Sequence, residues 1–543
     1  TNAAAELASG EYLALADHDD ILAPHAMYTM GRAIRQLREA GEPDGFLYSD
    51  EALFTKKIEK PLVAHFKPNY APDYLLCCNY ICHLAVFRRE LFEQVGGERP
   101  ECDGSQDHDL FLRLIEQVGG AAHVPQVLYY WRVHEGSTSG GTDAKPYVAK
   151  AAKKALADHL ERTGRTGTIE DGLYPSTYRV RWDIVGEPKV SILIPNKDHT
   201  EDLEKCLQSI WKKTTWDRFE VIVIENNSTD PATFAYYEKA RQRYDGLKVV
   251  TYPDKGFNFS AINNFGRKAA EGDYLLLLNN DVEVVNGDWL TELLRQCAHP
   301  GGAAICGAML WYPDETIQHA GIVTGLGGYA GHSHKYKKKG GSGYLFRTST
   351  VQDFSGVTGA CLLVKTAVYD EMHGLDEQSA QGDKEIVPLL RRFGADIRAT
   401  ERGIECRRAR LHGITIDAAQ IPDLVPILSV VAAYAHGETR IVGAARLRIK
   451  ESDRLTAMAN ALRRVGVSVT EQPDGLTIRG GKPLRGGLVQ GCNDHRIVMS
   501  MAVAATGSVH AISVTDAESV NKSWPTFFED FRMIGGQTIW HQA

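Results

Sequence analysis

Apolar residues run along this chain in two rhythms. Short unbroken runs such as VSILI (190–194), VIVI (221–224) and YLLLL (274–278) are bounded by polar or acidic residues. Runs of that length between such breaks predict buried strands. Between the first two, LEKCLQSIWKKT (203–214) carries apolar residues at helical spacing and predicts an amphipathic helix. Strand, helix, strand in this order predicts a parallel, doubly wound sheet. TNAAAELASG (1–10) reads as helix, LLCCNYICHLAVF (75–87) as an apolar strand-like segment and YRVRW (178–182) as a strand. PYVAKAAKKALADHLERTG (146–164) has the Ala/Lys/Leu composition of a linker helix.

The pattern also repeats. LASGEYLALADHDD (7–20) and AAEGDYLLLLNNDV (269–282) match at an offset of 262 residues. Each reads as a helix end, a Gly turn, a buried strand and then acidic or amide residues at its C-terminal end. In open α/β sheets that end is where ligands bind. A second match joins VFRRELFEQVGG (86–97) to VKTAVYDEMHGL (364–375). A period this long means domain duplication, not a solenoid.

VSILIPNKD (190–198), VIVIENNSTD (221–230), GFNFSAINNFG (256–266), LLLLNNDVEV (275–284) and GVTGACLLVK (356–365), in this order, resemble the family 2 glycosyltransferases of the GT-A fold. That resemblance implies a Rossmann-like α/β module using a nucleotide-sugar donor, a saccharide acceptor and a divalent cation, Mg or Mn. It implies donor-binding roles for Pro195, Asp198, Glu225, Asn227, Asp230 and Asn264, with Glu225 and Asp230 at base and ribose. Asp281, and Asp17 and Asp19 of DHDD in the first copy, would hold the cation. A departing nucleoside diphosphate concentrates negative charge, which a hard cation on carboxylates neutralises. GSQDHDLFLRL (104–114) resembles the family's acceptor helix, so Asp107 is the expected general base with Asp109 in support. A carboxylate suits displacement that needs the acceptor proton removed. YYWRVHEGSTS (129–139) resembles its W-R-x-H segment, which puts Arg132 and His134 toward the diphosphate. His319, His332, His334 and KYKKK (335–339) are weaker acceptor-side candidates, the lysines for an anionic lipid-linked acceptor; a solvated loop and ordinary packing are the simpler account of them.

From Gln378 the texture changes. SAQGDKEIVPLLRRFGADI (379–397) predicts a turn, a helix and a strand, and RRVGVSVTEQPDGLTIRG (463–480) helix, strand, turn, strand. SAQGD (379–383), QIPDLVP (420–426), RIKESDRL (448–455), NDHRIVMS (493–500) and NKSWPTFF (521–528) resemble the C-terminal part of 5-enolpyruvylshikimate-3-phosphate synthase. The resemblance implies a partial α+β enolpyruvyl transferase domain needing no cofactor. Asp423 and Glu451 would be acid/base carboxylates and Lys450 a phosphate contact or proton shuttle. Lys450, Arg454, Arg496 and Lys522 would hold phosphoenolpyruvate and shikimate 3-phosphate. A small polyanion needs several cations, with Arg offering bidentate forks. These substrates enter only if the rest of that enzyme is supplied, since its site closes between two domains.

Composition narrows the rest. A net charge of −8 gives no reason to expect nucleic acid as a partner. No apolar run reaches the ~20 residues of a membrane span. The ten cysteines lack zinc-site spacing, and the Cys77, Cys78, Cys82 group reads as buried thiols. A reducing cytoplasm is expected, with peripheral placement at the inner membrane face left open.

Four segments follow: 1–140, the C-terminal part of a first glycosyltransferase module; 141–188, a linker helix and strand; 189–377, the N-terminal part of a second module; and 378–543, the synthase-like part. The start at Thr1 inside a helix-like run reads as truncated, and the family switch at 377/378 falls inside a module rather than at a linker. Four readings stand: a polysaccharide glycosyltransferase with an unrelated tail, a synthase fragment with a transferase passenger, a chimeric reading frame with little intact activity, and one composite site shared by both modules. The third accounts for most of these features.

Overall fold

The computed structural model describes residues 1–134, 146–324, 330–377, 385–400, 403–419, 421–524 and 526–541. The chain forms two compact units, one of Thr1–Ile322 with His332–Glu377 and one of Val323–Gly331 with Gln378–Ala543.

The first unit holds two six-stranded sheets. In the second of them the order is Leu247–Thr251, Phe219–Glu225, Val190–Asn196, Tyr274–Leu278, Cys361–Lys365, Ile305–Gly307. The first four strands are parallel to their neighbours, and the last two pair antiparallel. Strand Val190–Asn196 is followed along the chain by strands on one side, then by Tyr274–Leu278 on the other. That reversal opens a crevice beyond the C-terminal ends of these strands, the ligand position of doubly wound sheets. Ile192, Leu193, Ile194, Val221, Ile222, Val223, Leu275 and Leu276 are fully buried, which is why these runs carry no polar alternation.

The other sheet follows the path Tyr12–Leu15, Ala85–Arg88, Phe46–Phe54, Ala122–Arg132, Ile21–Leu22, with Val63–His65 beside Phe46–Phe54. The repeat is visible in its pairing. Tyr12 pairs with Arg88 and Tyr274 with Lys365, both antiparallel. The downstream halves of the two copies therefore align at an offset of 277, Arg88 to Lys365, one residue from the sequence match. Helices Arg89–Gln94 and Thr366–Glu371 then coincide. So do the left-handed pairs Gly96, Gly97 and His373, Gly374. Aligning identical residues had favoured Val86 with Val364; the backbone turn that ends each helix fixes the true register.

Two expectations change. Residues 75–87 are not one strand: Pro72–Cys77 is helical, with Pro72 in its first turn, and pairing begins at Ala85. Short apolar runs do not by themselves separate helix from strand. Helix Pro146–Arg162 is no free spacer either. Ala152, Leu156 and Leu160, with Tyr178, Val180 and Trp182 of the strand beyond it, share one core with Phe46, Tyr48, Leu75 and Phe111. The helix is tied down by Arg99 to Asp158 at 2.8 Å and His159 to Glu116 at 2.6 Å.

An arm of the second module also reaches the first. The Tyr344 hydroxyl donates to Ala64 O at 2.7 Å and accepts from Phe66 N at 2.6 Å. The Tyr74 hydroxyl donates to Leu345 O. Val351 packs against the core of the first sheet.

In the second unit a four-stranded sheet, Thr415–Asp417, Gly437–Val442, Gly475–Gly480, Ser468–Gln472, lies with a parallel pair, Gly487–Val489 and Ile512–Val514. Helices Val425–Tyr434, Arg454–Arg464 and His495–Ala505 supply Val425, Leu428, Leu455, Met458, Leu462, Ile497 and Met501 to one core. The helix and strand foreseen after SAQGD are Ile386–Arg392 and Asp396–Thr400. SAQGD itself lies outside the described residues.

Candidate active sites

In the first module the DHDD turn leaves strand Tyr12–Leu15 and is folded around the end of strand Ala122–Arg132. The Tyr129 hydroxyl accepts the Asp17 N–H at 3.0 Å and donates to Asp20 Oδ2 at 2.6 Å. Arg132 donates its N–H to Asp20 Oδ1 at 2.7 Å and its Nε–H to Asp19 O at 2.7 Å. His134 Nε2 lies 3.2 Å from Asp19 Oδ2. The W-R-x-H segment thus meets the acid turn directly. Burial pushes the Asp20 carboxyl up, against the hydrogen bonds from Arg132 and Tyr129.

Sequence reading paired Asp17 with Asp19. The structure instead converges Asp17, Asp20 and His83, whose ligand atoms lie within 4.8 Å of one another. Asp19 faces His134. Two carboxylates with an imidazole fit a divalent cation, and the Asp19–His134 pair adds a third carboxylate and a second imidazole beside the same turn. His83 stacks on Tyr129 at 4.6 Å and carries no motif that reveals it in the sequence.

Asp107 opens helix Gln106–Val118 and accepts Asn79 Nδ2 at 2.8 Å. Its Oδ1 accepts the adjacent His108 N–H at 2.8 Å, and the residue is half-buried rather than closed off. Asp109 does not support it. It is fully buried between Arg99 and Arg113, with contacts of 3.0 Å from Arg99 Nε and 2.6 Å from Arg113 Nη2. Asp109 therefore holds the helix in place.

In the second module the crevice is closed by amides. Asn196 Oδ1 accepts Asn280 Nδ2 at 2.7 Å and Asn196 Nδ2 donates to the Tyr237 hydroxyl at 2.9 Å. Asp281, exposed, follows Asn280 on the turn after Tyr274–Leu278. Pro195 sits in register with Ile224 just before Asn196. Asp198, with φ of 60°, accepts the N–H groups of Thr229 and Asp230 at 2.8 and 3.0 Å. Those N–H groups, Asp230's foremost, hold its carboxyl below the usual range. Asn227, also at φ 60°, donates to Asp254 O at 2.9 Å. Asp and Asn tolerate that left-handed backbone better than other side chains, which explains their place in this turn.

Three candidates are placed otherwise than expected. Glu225 is buried and its carboxylate is used within the fold, by the Ser228 hydroxyl and the Tyr237 hydroxyl, each at 2.6 Å. It shapes the turn rather than facing a base. Asp230 caps helix Pro231–Arg243 through Ala232 N at 2.8 Å. Asn264 is a clear correction. Its Nδ2 donates to Leu375 O and Glu377 Oε1, and its Oδ1 accepts Tyr369 and Leu375. All four amide hydrogen bonds are consumed by the chain, so none remains for a ligand. His319 is buried, with Nδ1 3.0 Å from Nδ1 of His332. Burial, then His332, pushes it down to about 4, which marks a neutral packed pair. His334 meets the Ser333 hydroxyl at 2.6 Å, and residues 335–339 are exposed.

In the second unit Arg454 gathers the carboxylates. Its side chain is 1% exposed, and it contacts Asp423 at 2.7 Å, Asp494 at 2.8 Å and Glu451. Lys450 and Arg496 lie 3.6 and 3.5 Å from Asp423. Burial alone would raise the Asp423 carboxyl, but Arg496, Lys450 and Arg454 hold it below the usual range. Asp494, overlooked in sequence, is fully buried and caps helix His495–Ala505. The Lys522 side chain lies outside the described residues.

Comparison with known proteins agrees with both halves. Residues 191–352 match the family model for glycosyl transferase family 2, and residues 358–531 that for EPSP synthase (3-phosphoshikimate 1-carboxyvinyltransferase). An uncharacterized protein of Sinorhizobium fredii is 39% identical over 69% of this chain and 41% of its own length. The O-antigen biosynthesis protein RfbC of Myxococcus xanthus is 36% identical over 70% of this chain and 29% of its own. The 3-phosphoshikimate 1-carboxyvinyltransferase of Clostridium novyi is 48% identical over 30% of this chain and 37% of its own. The chain thus spans less than half the length of each of these relatives. It carries a family 2 glycosyltransferase region fused to an EPSP synthase-like region, both transferase in kind. The synthase match begins at residue 358, yet Cys361–Lys365 pairs inside the glycosyltransferase sheet. Among the described residues no helix is long and apolar enough to cross a membrane.

Proposed function

We propose that residues 1–377 transfer a sugar from a nucleotide-sugar to a saccharide acceptor during surface-polysaccharide assembly. The observation that carries this is the folding of Arg132 and His134 back onto the Asp17–Asp20 turn. That arrangement presents cations and cation-holding carboxylates together, as a departing diphosphate requires. A divalent cation, Mg or Mn, would be held at the Asp17–Asp20 turn, and by Asp281 in the second module, and would neutralise charge at that diphosphate. Asp107 takes the acceptor hydroxyl proton, and Asn79 orients it. In the second module Pro195, Asp198, Asn227 and Asp230 form the turn at the crevice where the nucleoside lies. The acceptor is a saccharide, and a lipid-linked form would bring the protein to the inner membrane face.

Transfer from UDP- and dTDP-sugars by the full chain tests this. Loss in Asp107→Ala alone places the chemistry in the first module. Loss in Asp281→Ala alone places it in the second, and equal loss in both points to one shared site. Absence of transfer or hydrolysis with every donor overturns the proposal.

For residues 378–543 we propose a synthase-like anion pocket without turnover. Asp423 and Glu451 are the acid/base pair, and Lys450, Arg454, Arg496 and Lys522 the anion contacts. Here Arg454 is already engaged by three carboxylates of its own chain. A chimeric reading frame explains why two family matches meet within six residues, 352 to 358. A single long sequencing read across the codons for residues 360–400 decides it: an uninterrupted genomic junction refutes a sequence-assembly origin. Phosphate release from phosphoenolpyruvate and shikimate 3-phosphate would refute the absence of turnover.

A further inference from the structure

His83 is the residue that no sequence signal marks. It sits at the end of the segment Asn79–His83, whose first residue, Asn79, meets Asp107. The segment is pinned from below. Lys67, with a side chain 1% exposed, donates to Ile81 O at 2.6 Å, to His83 O and to Glu51 Oε2 at 3.1 Å. Glu51, equally buried, accepts the His83 N–H at 3.1 Å and His65 Nδ1 at 2.9 Å. A buried ion pair with every partner satisfied fixes geometry more than it adds stability. Here both its members grip the backbone of His83. The ring, only 13% exposed, is clamped against Tyr129 and presents Nε2 at 3.8 Å from Asp17 Oδ2.

The internal repeat supplies an independent comparison. At the structural register, Asp17 corresponds to Asn279 and Asp20 to Val282, while His83 corresponds to Ala360. The correspondence is spatial too, since Asn279 N donates to Ala360 O at 3.1 Å. All three members of the cluster are therefore replaced together, by an amide and two apolar residues. Asp19, which faces His134 instead, keeps its carboxylate as Asp281. Residues that vanish as a set in one copy and converge as a set in the other act as a set.

We propose that His83, positioned by the buried Glu51–Lys67 pair, is a cation ligand with Asp17 and Asp20 and makes the first module prefer Mn2+ to Mg2+. The inference rests on the glycosyltransferase reading of that module. Mg2+ takes oxygen ligands and sheds its waters reluctantly, whereas an imidazole in the set favours a first-row transition ion. The second copy, lacking all three, has no such preference.

The test is Mn2+ binding by electron paramagnetic resonance, with Mg2+ as competitor, on the full chain carrying Asp281→Asn to silence the second turn. No sugar donor is needed. His83→Asn should weaken Mn2+ by about tenfold or more while changing Mg2+ by less than about twofold. The neutral double variant Glu51→Gln with Lys67→Met should reproduce part of that shift, because the ring then lacks its anchor. Asp17→Asn should weaken both ions. Thermal melting of each variant separates loss of ligand from loss of fold. If Mn2+ binds, Asp17→Asn removes it and folded His83→Asn retains the Mn2+ preference, the role of His83 is refuted and the module's cation reading survives. Failure of the parent protein to bind Mn2+ at all refutes both.

Discussion

Oδ2 of Asp353 accepts the backbone N–H of Asp73 at 3.0 Å, and that of Tyr74 at 3.2 Å, so a residue of the second glycosyltransferase module caps a helix of the first. That helix, Pro72–Cys77, leads straight into the segment carrying Asn79 and His83. The arm is therefore joined to the backbone that arranges the first module's site.

This contact should respond to pH. Burial, then the neighbouring Asp73, pushes the Asp353 carboxyl up to about 6, and burial raises Asp73 despite Arg165. A raised carboxyl pKa stabilises the docked state below the ordinary value of 3.8, and that contribution is lost as pH rises through about 6. Hydrogen exchange at Asp73 and Tyr74, corrected for intrinsic rates, should show more protection at pH 5 than at pH 7.5. Asp353→Asn keeps an acceptor without the charge and should flatten that difference. Equal protection at both pH values in the parent protein counts against it.

Asp109→Ala leaves Arg99 and Arg113 facing a buried gap. Removing one member of a buried ion cluster costs about 3–5 kcal/mol. Denaturant unfolding followed by the fluorescence of Trp182, in the same core, should report a loss of that size. Asp107→Ala should cost far less stability, since among the described residues its carboxylate is held by Asn79 Nδ2 and the adjacent His108 N–H, with no buried ion pair.

Asn264→Ala should destabilise rather than weaken donor binding. Four hydrogen bonds disappear, and two acceptor carbonyls or carboxylates of Leu375 and Glu377 lose their donor, for about 1–3 kcal/mol. Calorimetric titration of UDP on the folded variant should give the parent affinity.

Arg454→Met should unfold or loosen the synthase-like region, because Asp494 is fully buried and loses its main partner. The expected cost is about 3–5 kcal/mol, read as earlier proteolysis between residues 415 and 530. Arg496→Met, at a partly exposed position, should leave proteolysis near the parent pattern.

Much of this architecture was legible because the runs 190–194, 221–224 and 274–278 are buried on both faces and so lack alternation. The acid turn and its W-R-x-H partner were legible for a different reason: backbone geometry at a strand end restricts which residues fit. His83, Asn79, Lys67 and Asp494 were not legible, since their roles arise from contacts between segments 16 to 66 residues apart. Glu225 and Asn264 misled because amides and carboxylates that hold a turn look, in sequence, the same as those that hold a ligand. The one-residue slip in the repeat has a similar origin. Identity favoured Val against Val, whereas pairing obeys the strand register and the left-handed turn after the helix.

Helix Pro146–Arg162 and strand Tyr178–Trp182 complete the first module's core, and this changes where the chain can be cut for study. A fragment ending at residue 140 would expose Phe46, Leu75 and Phe111 to water and would aggregate on expression. A fragment carried through Asp183 keeps Leu156, Leu160 and Trp182 in place. It keeps Asp17, Asp107 and His83 on their own core, without the Tyr344–Asp353 arm that docks on helix Pro72–Cys77.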